Sequence, residues 1–381
     1  MNARPKQFLN VATALGFSPM SLANLAEVHR IAMRFNASLF VFHVGNWTEE
    51  NQANYTSLLN ELGIEPSSIT LKCKEGDPKV EVINVSGIES TALYTITFST
   101  DTKTLKKAKN FLATAIVLPK GLNSSICENV IYVDDPYFAF ARLTQLFKDQ
   151  TQPFSQGKSF IHDSSSIGED TVISNNAYIG QDCEIGDNVF IGPNVFIGNK
   201  CSVGSKTIIH ANTSIIQDVN IGASCIIHSN VSLGTDGFGF APAKSGYEKI
   251  EQLGGLIVGD NVEIGAGCTI DRGAINNTHI HDGVKLDNQV HIAHNVILGE
   301  NSAIAASCAI AGSTIIGKNL QMGGLSGILG HLKICDDVFV GAHTLITKSI
   351  NKPGQYIGIM PAQSHSDWAK SSVFIRKRNK D

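Results

Sequence analysis

The fold is decided by a stretch that reads IGQDCEIGDNVFIGPNVFIG from Ile179 to Gly198. In this stretch an aliphatic residue recurs at every sixth position, at Ile179, Ile185, Ile191 and Ile197. Six residues match neither the 3.6-residue period of a helix nor the two-residue alternation of a half-buried strand. A fixed period instead indicates a repeat architecture, in which each unit buries its apolar side chain against its neighbours.

The six-residue period extends well beyond this stretch in both directions. It covers Ile161, Ile167, Ile173, Ile179, Ile185, Ile191, Ile197, Val203, Ile209, Ile215, Ile221, Ile227 and Leu233, then Val258, Ile264 and Ile270, and after a shift of four residues Ile280, Leu286, Ile292, Leu298, Ile304, Ile310, Ile316, Met322, Ile328, Ile334, Val340 and Ile346. Each unit supplies one short strand and a turn, and three units close one coil of a triangular prism. We therefore predict a mainly β protein, a left-handed parallel β-helix of hexapeptide repeats preceded by small α/β domains. Its hand is an exception to the usual right-handed crossover.

The position two residues before the aliphatic one holds a small or β-branched residue in most units. Five of the eight cysteines lie there: Cys183, Cys201, Cys225, Cys268 and Cys308. We predict that these five side chains fill space inside the prism. The chain has no CxxC spacing, so we predict neither a zinc site nor a disulfide scaffold, and no metal site.

Composition limits the class of protein. Of the 381 residues, 43% are hydrophobic and 17% are charged, which is enough apolar material for a buried core. The 30 basic and 34 acidic residues give a net charge of −4, whereas a nucleic-acid-binding protein is typically basic. No apolar run approaches the roughly 18–20 residues that span a bilayer. We therefore expect no nucleic-acid partner, no transmembrane segment and a cytoplasmic location.

The sequence predicts four regions. Residues 1–74 form an α/β segment, and residues 75–152 form a second small α/β domain. Residues 153–350 form the β-helix, from which the Gly-rich and charged insertion 234–257 is expected to loop out. Residues 351–381 form a tail that is partly helical.

The side chains that point out of the prism determine its chemistry. His294 follows the inward Ile292 by two positions, and Gly312 lies 18 residues further on, which is one full coil. Gly312 should therefore lie directly over His294, and His331 should lie two coils away on the same side. An imidazole beside a glycine N–H is a plausible pair of general base and oxyanion donor for acyl transfer.

Three other residues are candidates for a part in the same chemistry. Asp287, seven residues earlier, could orient and polarise the imidazole. His291 and His343 are as eligible as His294 on stacking alone.

Several motifs together resemble one family. They are GTDGFGFAP at 234–242, IDRGAINNT at 270–278, LDNQVHIAHNVILG at 286–299, IAGSTIIGKNLQMGG at 310–324, ILGH at 328–331 and KPGQYIGIMPA at 352–362. The family is that of the UDP-3-O-acylglucosamine N-acyltransferases of lipid A synthesis. The resemblance covers about residues 75–370. It implies a homotrimer that moves an (R)-3-hydroxyacyl group from acyl carrier protein to the 2-amine of UDP-3-O-acyl-glucosamine.

The resemblance also implies roles for particular residues. His294, Asp287, Gly312 and His331 match the family's catalytic residues. Substrate-binding roles are implied for Phe98, Asp101, Lys103, Asp236, Phe238, Phe240, Asn288, His291 and Asn295. No cofactor is implied, because the phosphopantetheine of acyl carrier protein carries the acyl donor. The resemblance also implies that the enzyme works near the inner membrane face.

The sequence departs from the family at two places, which leaves alternatives open. The family usually reads Asn-Pro-Lys-Tyr where this chain has Asp101–Thr104, and a common glutamine is His291 here. An acyltransferase acting on another nucleotide-linked amino sugar is therefore a second hypothesis. Residues 1–74 resemble half of a universal-stress-protein domain, which motivates a third, a non-catalytic trimeric scaffold.

Overall fold

The structure is a computed structural model that describes residues 72–73, 82–123, 125–147, 155–358 and 362–377. The segment that resembles half of a universal-stress-protein domain, 1–74, lies outside the described residues except for the strand Lys72–Cys73. The chain divides into two compact units, Met1–Thr151 and Gln152–Asp381. Each unit is described by itself.

The second unit confirms the predicted parallel β-helix. Its strands, mostly two residues long, form three parallel sheets, which are the three faces of a prism. The first face consists of Ser166–Ile167, Glu184–Ile185, Ser202–Val203, Val219–Ile221, Leu256–Val258, Thr278–Ile280, Ile297–Leu298, Ile315–Ile316 and Lys333–Ile334. The second face consists of Val172–Ile173, Phe190–Ile191, Ile208–Ile209, Ile226–Ile227, Glu263–Ile264, Lys285–Leu286, Ala303–Ile304, Gln321–Met322, Val338–Val340 and Gly354–Tyr356. The third face consists of Phe160–Ile161, Tyr178–Ile179, Phe196–Ile197, Ser214–Ile215, Ser232–Thr235, Thr269–Asp271, His291–Ile292, Ala309–Ile310, Gly327–Ile328 and Leu345–Ile346.

The core of this unit is the aliphatic ladder that the sequence predicts. From Ile173 to Ile346 every member of the ladder is buried, whereas Ile161 and Ile167 at the first coil are partly buried. Burial of one such side chain contributes about 1.5–3 kcal/mol, and in a stacked repeat these contributions are roughly additive. The five predicted cysteines are buried as well, and burial raises the pKa of the Cys201 thiol to about 12.

The turns of the prism use a left-handed backbone. At most turns the residue three positions after the inward aliphatic has a positive φ, as in Asn176 (61°), Asn188 (57°) and Asn194 (58°). Asparagine and aspartate tolerate this conformation better than most side chains do. This requirement explains why these polar residues recur at the corners.

Two loops interrupt the repeat, and both leave from the same corner. The first runs between Thr235 and Leu256 and contains an antiparallel hairpin of Phe240–Ala243 and Gly246–Lys249. The second connects Asp271 to Thr278 and produces the register shift of four. Each loop starts at the end of a third-face strand and returns at a first-face strand. We call the turns between these two faces the His294 corner.

The prism is longer at its carboxyl end than the sequence suggests. The strand Gly354–Tyr356 pairs with Val338–Val340 beyond residue 350. A helix follows at His365–Lys377. Within the part of the chain that the structure describes, no helix has the length and apolar character needed to cross a membrane.

The first unit contains a five-stranded sheet. Its spatial order is Lys72–Cys73, Val130–Val133, Ala115–Pro119, Thr95–Phe98 and Asn84–Val85. The first pair is antiparallel and the other pairs are parallel. Two helices accompany the sheet, Thr102–Leu105 and Pro136–Phe147.

Candidate active site

His294 lies at the corner between the third and first faces, where it is half-buried and directly under Gly312. The carbonyl of His294 accepts a hydrogen bond of 2.9 Å from the N–H of Ser313 in the next coil. A Cβ placed on Gly312 would lie 2.7 Å from Nε2 and 2.8 Å from Cε1 of the imidazole. Only glycine permits the ring to lie this close to the backbone of the coil above it.

The first loop covers another part of the same side chain. A Cβ on Gly237 would lie 2.6 Å from Cβ and 2.8 Å from Cδ2 of His294. Gly237 itself is buried. The imidazole is therefore confined between two glycines, one from the loop and one from the next coil. Sequence reasoning did not single out Gly237, although the register break at 234 pointed to this loop.

Asn295 holds the imidazole and ties it to the second loop. Its Oδ1 lies 3.1 Å from Nδ1 of His294 and accepts a 3.0 Å hydrogen bond from the N–H of Ala274. Its Nδ2 donates to the carbonyl of Asn276 at 2.7 Å. These two backbone contacts fix which end of the amide faces the ring, so Oδ1 is the acceptor there.

The tautomer of His294 follows from this contact. In the neutral ring the proton lies on Nδ1, which donates to Asn295, and the lone pair lies on Nε2 beside Gly312. Nε2 therefore carries the lone pair that a general base requires. The side chain of Asn295, which the resemblance assigns to substrate binding, is thus engaged within its own chain.

Within the described residues of one chain, no hydrogen bond or ion pair joins Asp287 to His294, and their pairing remains a prediction. Its carboxylate accepts hydrogen bonds from the N–H groups of Asn288 (2.7 Å) and Ala306 (3.1 Å). Seven residues are one repeat unit plus one, so Asp287 belongs to the preceding corner, between the second and third faces. There it lines a groove of about 630 Å³ together with Asn288, Lys285 and Phe339.

His331 lies in the His294 corner, as the sequence predicts. Its N–H donates to the carbonyl of Gly312 at 3.0 Å, and its side chain is exposed. His294, Gly312 and His331 therefore occupy three successive coils at one corner.

His291 and the buried carboxylate of Asp271 lie on neighbouring third-face strands, next to the His294 corner. Nδ1 of His291 is 2.8 Å from Oγ1 of Thr269, and its Nε2 is 3.8 Å from Oδ2 of Asp271. Oδ1 of Asp271 accepts a 3.0 Å hydrogen bond from the hydroxyl of Thr235. Burial raises the pKa of the Asp271 carboxyl, and the charges of His291 and then His294 oppose that rise. The six-residue period did not indicate that the side chain of Asp271 is buried.

The hairpin presents the other residues that the resemblance assigns to substrate binding. Phe238 is 84% exposed and Phe240 42%, and their ring centroids are 5.1 Å apart. Asp236 forms an ion pair with Lys249 across the base of the hairpin. These aromatic side chains offer an apolar surface next to the His294 corner.

In the first unit, Phe98 ends a strand beside other aromatic rings. Its centroid lies 4.5 Å from that of Phe140, in a stacked geometry, and 5.7 Å from that of Tyr137. Asp101 is the N-cap of the helix Thr102–Leu105, where its Oδ1 accepts from the N–H of Thr104 at 2.7 Å. Lys103 is exposed. The residue that departs from the family's usual asparagine is thus a helix cap.

Two family models match parts of the chain. Residues 164–199 and 277–312 match the family model described as bacterial transferase hexapeptide (six repeats). Residues 79–146 match the model described as UDP-3-O-(3-hydroxymyristoyl) glucosamine N-acyltransferase, LpxD.

Solved structures were also compared. A UDP-N-acetylglucosamine O-acyltransferase from Moraxella catarrhalis aligns with a TM-score of 0.41 and 24% identity, over 56% of this chain and 76% of that one. A second, from Acinetobacter baumannii, aligns with a TM-score of 0.38 and 27% identity, over 52% of this chain and 71% of that one.

Curated relatives match either part or most of the chain. A UDP-3-O-acylglucosamine N-acyltransferase from Bordetella avium is 53% identical over 149 residues, which are 38% of this chain and 41% of that protein's length. One from Delftia acidovorans is 40% identical over 304 residues, 79% of this chain and 87% of that protein. The chain belongs to the family of UDP-3-O-acylglucosamine N-acyltransferases.

Proposed function

We propose that the protein is an N-acyltransferase of lipid A synthesis. It moves an (R)-3-hydroxyacyl group from acyl carrier protein to the 2-amine of UDP-3-O-acyl-glucosamine. The acyl donor is the thioester on the phosphopantetheine of the carrier protein. Because the product carries a second acyl chain, we place the reaction in the cytoplasm next to the inner membrane.

In the proposed mechanism His294 is the general base. Its Nε2 takes a proton from the 2-amine as the nitrogen attacks the thioester carbonyl. The carbonyl oxygen becomes an oxyanion, which the N–H of Gly312 stabilises. The tetrahedral intermediate then expels the pantetheine sulfur, which takes the proton from His294 and leaves as the thiol. The amide bond has formed, the thioester has broken, and His294 is neutral again.

One observation carries this assignment. The imidazole lies between Gly237 and Gly312, and Asn295 accepts from its Nδ1. This arrangement orients the lone pair of Nε2 toward the backbone of Gly312. His294 and the N–H of Gly312 are thereby close enough to act on the same addition reaction. His294 acts on the attacking amine, and the N–H acts on the carbonyl oxygen.

A homotrimer is part of the proposal. Asp287 and His294 lie at different corners of one prism, so Asp287 of one subunit reaches His294 only on a neighbouring subunit. Threefold symmetry would form three identical sites of this kind between subunits. The groove that contains Asp287 and Phe339 would then open toward the partner's His294 corner.

We further propose that the first unit binds uridine. Phe98 is the aromatic platform, with Tyr137 exposed beside it. Lys103 supplies a positive charge for the diphosphate. The sequence also contains basic residues such as Arg376 and Lys377, whose positive charge suits the acidic acyl carrier protein.

The function is tested with purified protein, 3-hydroxyacyl carrier protein and UDP-3-O-acyl-glucosamine. The expected product is the N-acylated sugar nucleotide, identified by its mass. Other nucleotide-linked amino sugars should be assayed in parallel, because Asp101–Thr104 differs from the family's usual residues. Preferential turnover of one of those sugars would replace the proposed acceptor. Absence of turnover with every acceptor would favour the scaffold hypothesis.

A further inference from the structure

Three exposed aromatic side chains are stacked on the third face of the prism. Phe160, Tyr178 and Phe196 hold the same outward position, one residue before the inward isoleucine, in three successive coils. Their ring centroids are 4.9 Å and 5.2 Å apart, and the planes of neighbouring rings differ by only 13°. Within one chain these residues are 51%, 39% and 41% exposed. This aromatic stack is therefore an apolar surface that a single chain leaves open to solvent.

The third face also differs from the other two faces in its charge. In the described part of the prism, the ten third-face residues that precede an inward aliphatic one include no aspartate, glutamate, lysine or arginine. The first face carries Glu184 and Lys333 at this outward position, and the second face carries Glu263 and Lys285. His291 lies on the third face, and an imidazole can be neutral. The third face is thus suited to contact with another apolar surface.

The proposed site between subunits determines which face turns toward the threefold axis. Asp287 follows a second-face strand and lies at the corner between the second and third faces, whereas His294 lies at the corner between the third and first faces. When one of these corners meets the other on a neighbouring subunit, the face between them faces the axis. With either other face turned inward, one of the two corners would point away from its neighbour.

A surface at a threefold axis has a particular requirement for charge. Each residue there lies opposite two copies of itself, so a lysine or glutamate would meet two like charges. Uncharged side chains avoid this repulsion, and aromatic rings gain from the burial of apolar area and from contact with one another. Of the three faces, the third meets this requirement, and it is the one that the shared site turns inward.

We propose that the aromatic stack is the contact surface for two further copies of this chain, in which Tyr178 and Phe196 of three subunits pack together along the threefold axis. The inference rests on the proposed function, because the shared site supplies the orientation of the subunits. Phe160 lies at the end of the stack, so its replacement alone should leave the trimer intact. Assembly then depends on the first coils of the prism, whereas the His294 site lies in later coils.

The test places a charge in the stack. Tyr178→Lys would bring three ammonium groups together at the axis, so light scattering should show monomers at a protein concentration at which the wild type is trimeric. Circular dichroism should be unchanged, because the side chain points out of the prism. Ile315→Lys, at the same outward position on the first face and 42% exposed, is the matched control and should stay trimeric. Phe196→Ser adds no charge and should raise the concentration at which half of the subunits are dissociated by about 10-fold.

A second measurement uses the wild type alone. Hydroxyl-radical labelling, read by mass spectrometry, should modify Tyr178 and Phe196 far less than their exposure in one chain predicts, whereas Tyr137 of the first unit, 68% exposed, should be modified readily. Ready modification of Tyr178 and Phe196 in a trimeric wild type overturns the inference. A trimer that survives Tyr178→Lys overturns it as well. Protection of Tyr178 in a monomeric wild type would show that another segment of the same chain covers the stack, which also overturns it.

These outcomes are distinct from a failure of the proposed function. A wild type that is trimeric, protected at Tyr178 and dissociated by Tyr178→Lys supports the contact surface even if it transfers no acyl group to any acceptor. That lack of transfer would count against the proposed function instead. An active wild type with the mass of one chain overturns the inference and leaves the acyl transfer in place.

Discussion

Gly312 and the imidazole of His294 are in contact across one coil of the prism: a Cβ on Gly312 would lie 2.7 Å from Nε2. This distance is shorter than any ordinary contact between a methyl carbon and a ring nitrogen. A side chain at 312 therefore has to displace the ring.

Gly312→Ala is expected to lower kcat by about 10- to 100-fold, since a displacement of about 1 Å in a reacting group can cost a factor of 10². The backbone itself tolerates alanine, because the φ of Gly312 is not in the left-handed region. The melting temperature should thus change little. Gly87→Ala, whose Cβ would meet only the Ser90 hydroxyl at 3.4 Å, is the matched control and should retain full activity. Unchanged turnover in Gly312→Ala would contradict the placement of the base beside Gly312.

His294→Ala should lower kcat by about 10²–10⁴, the usual range for a lost general base. The fold should persist, because His294 is not part of the buried ladder. His331→Ala should lower kcat less, since we expect its exposed side chain to position the substrate. Steady-state kinetics and circular dichroism of both variants check these expectations. If His294→Ala keeps near-normal turnover, the base is wrongly assigned and His291 is the next residue to replace.

The six-residue period was sufficient to predict the prism, its buried ladder and the stacking of Gly312 on His294. The period is easy to detect in the sequence because the inward positions carry only apolar side chains. The same period places Asp287, seven residues before His294, at the preceding corner and away from His294.

The six-residue period does not encode the other contacts around His294. Asn295, Gly237 and Asp271 act through loops whose paths depend on the register breaks. In the first unit, the helix Thr102–Leu105 ends after one turn, because the lysine-rich segment after it has no continuous apolar stripe to bury. Short elements of this kind are decided by tertiary packing.

Asp271→Asn is expected to stabilise the protein at neutral pH. Burial raises the pKa of this carboxyl in the folded state, so the ionised form is less favourable folded than unfolded. The wild type therefore loses stability as pH rises through the unfolded and then the folded pKa, whereas the asparagine variant does not. The gain in melting temperature should be largest at pH 7–8 and vanish below about pH 4, where both forms are neutral.

Thermal unfolding followed across this pH range provides the measurement for Asp271→Asn. Glu184→Gln, an exposed carboxylate on the first face, is the control that removes the same charge without a burial effect. A lower melting temperature for Asp271→Asn at pH 7–8 would show that the hydrogen bond from Thr235 and the attraction to His291 outweigh the cost of burial.

Phe98→Ala should raise KM for the sugar nucleotide by about 5- to 150-fold with a smaller effect on kcat, because stacking of a base on an aromatic ring contributes about 1–3 kcal/mol. Phe98 also stacks on Phe140, so Phe98→Leu is needed to retain apolar volume in that cluster. Both variants should lose affinity, and the leucine variant should keep the stability of the first unit. Phe160→Ala, an exposed aromatic residue of the other unit, serves as control. An unchanged KM in both Phe98 variants would place the nucleotide elsewhere.

The last prediction concerns the site between subunits. Light scattering should give a mass of about three times 40.8 kDa. Because Asp287 and His294 lie at different corners of one prism, a site that uses both groups must take them from two chains. His294→Ala and Asp287→Asn should each be impaired alone, yet co-expression should restore activity, since every mixed trimer contains one interface at which both native residues meet.

Random assembly makes about three quarters of the trimers mixed, with one complete site out of three in each, so recovery should approach about a quarter of the wild-type rate per subunit. The two variants purified separately and mixed without subunit exchange should remain as impaired as either alone. This control distinguishes sites shared between subunits from the summed residual activities of the two variants. Co-expressed trimers with no recovery would show that Asp287 does not complete the partner's site, and the charge that supports His294 would then have to come from its own chain. Asp271, buried beneath His291 and influenced by the charge of His294, is the carboxylate in position to provide it.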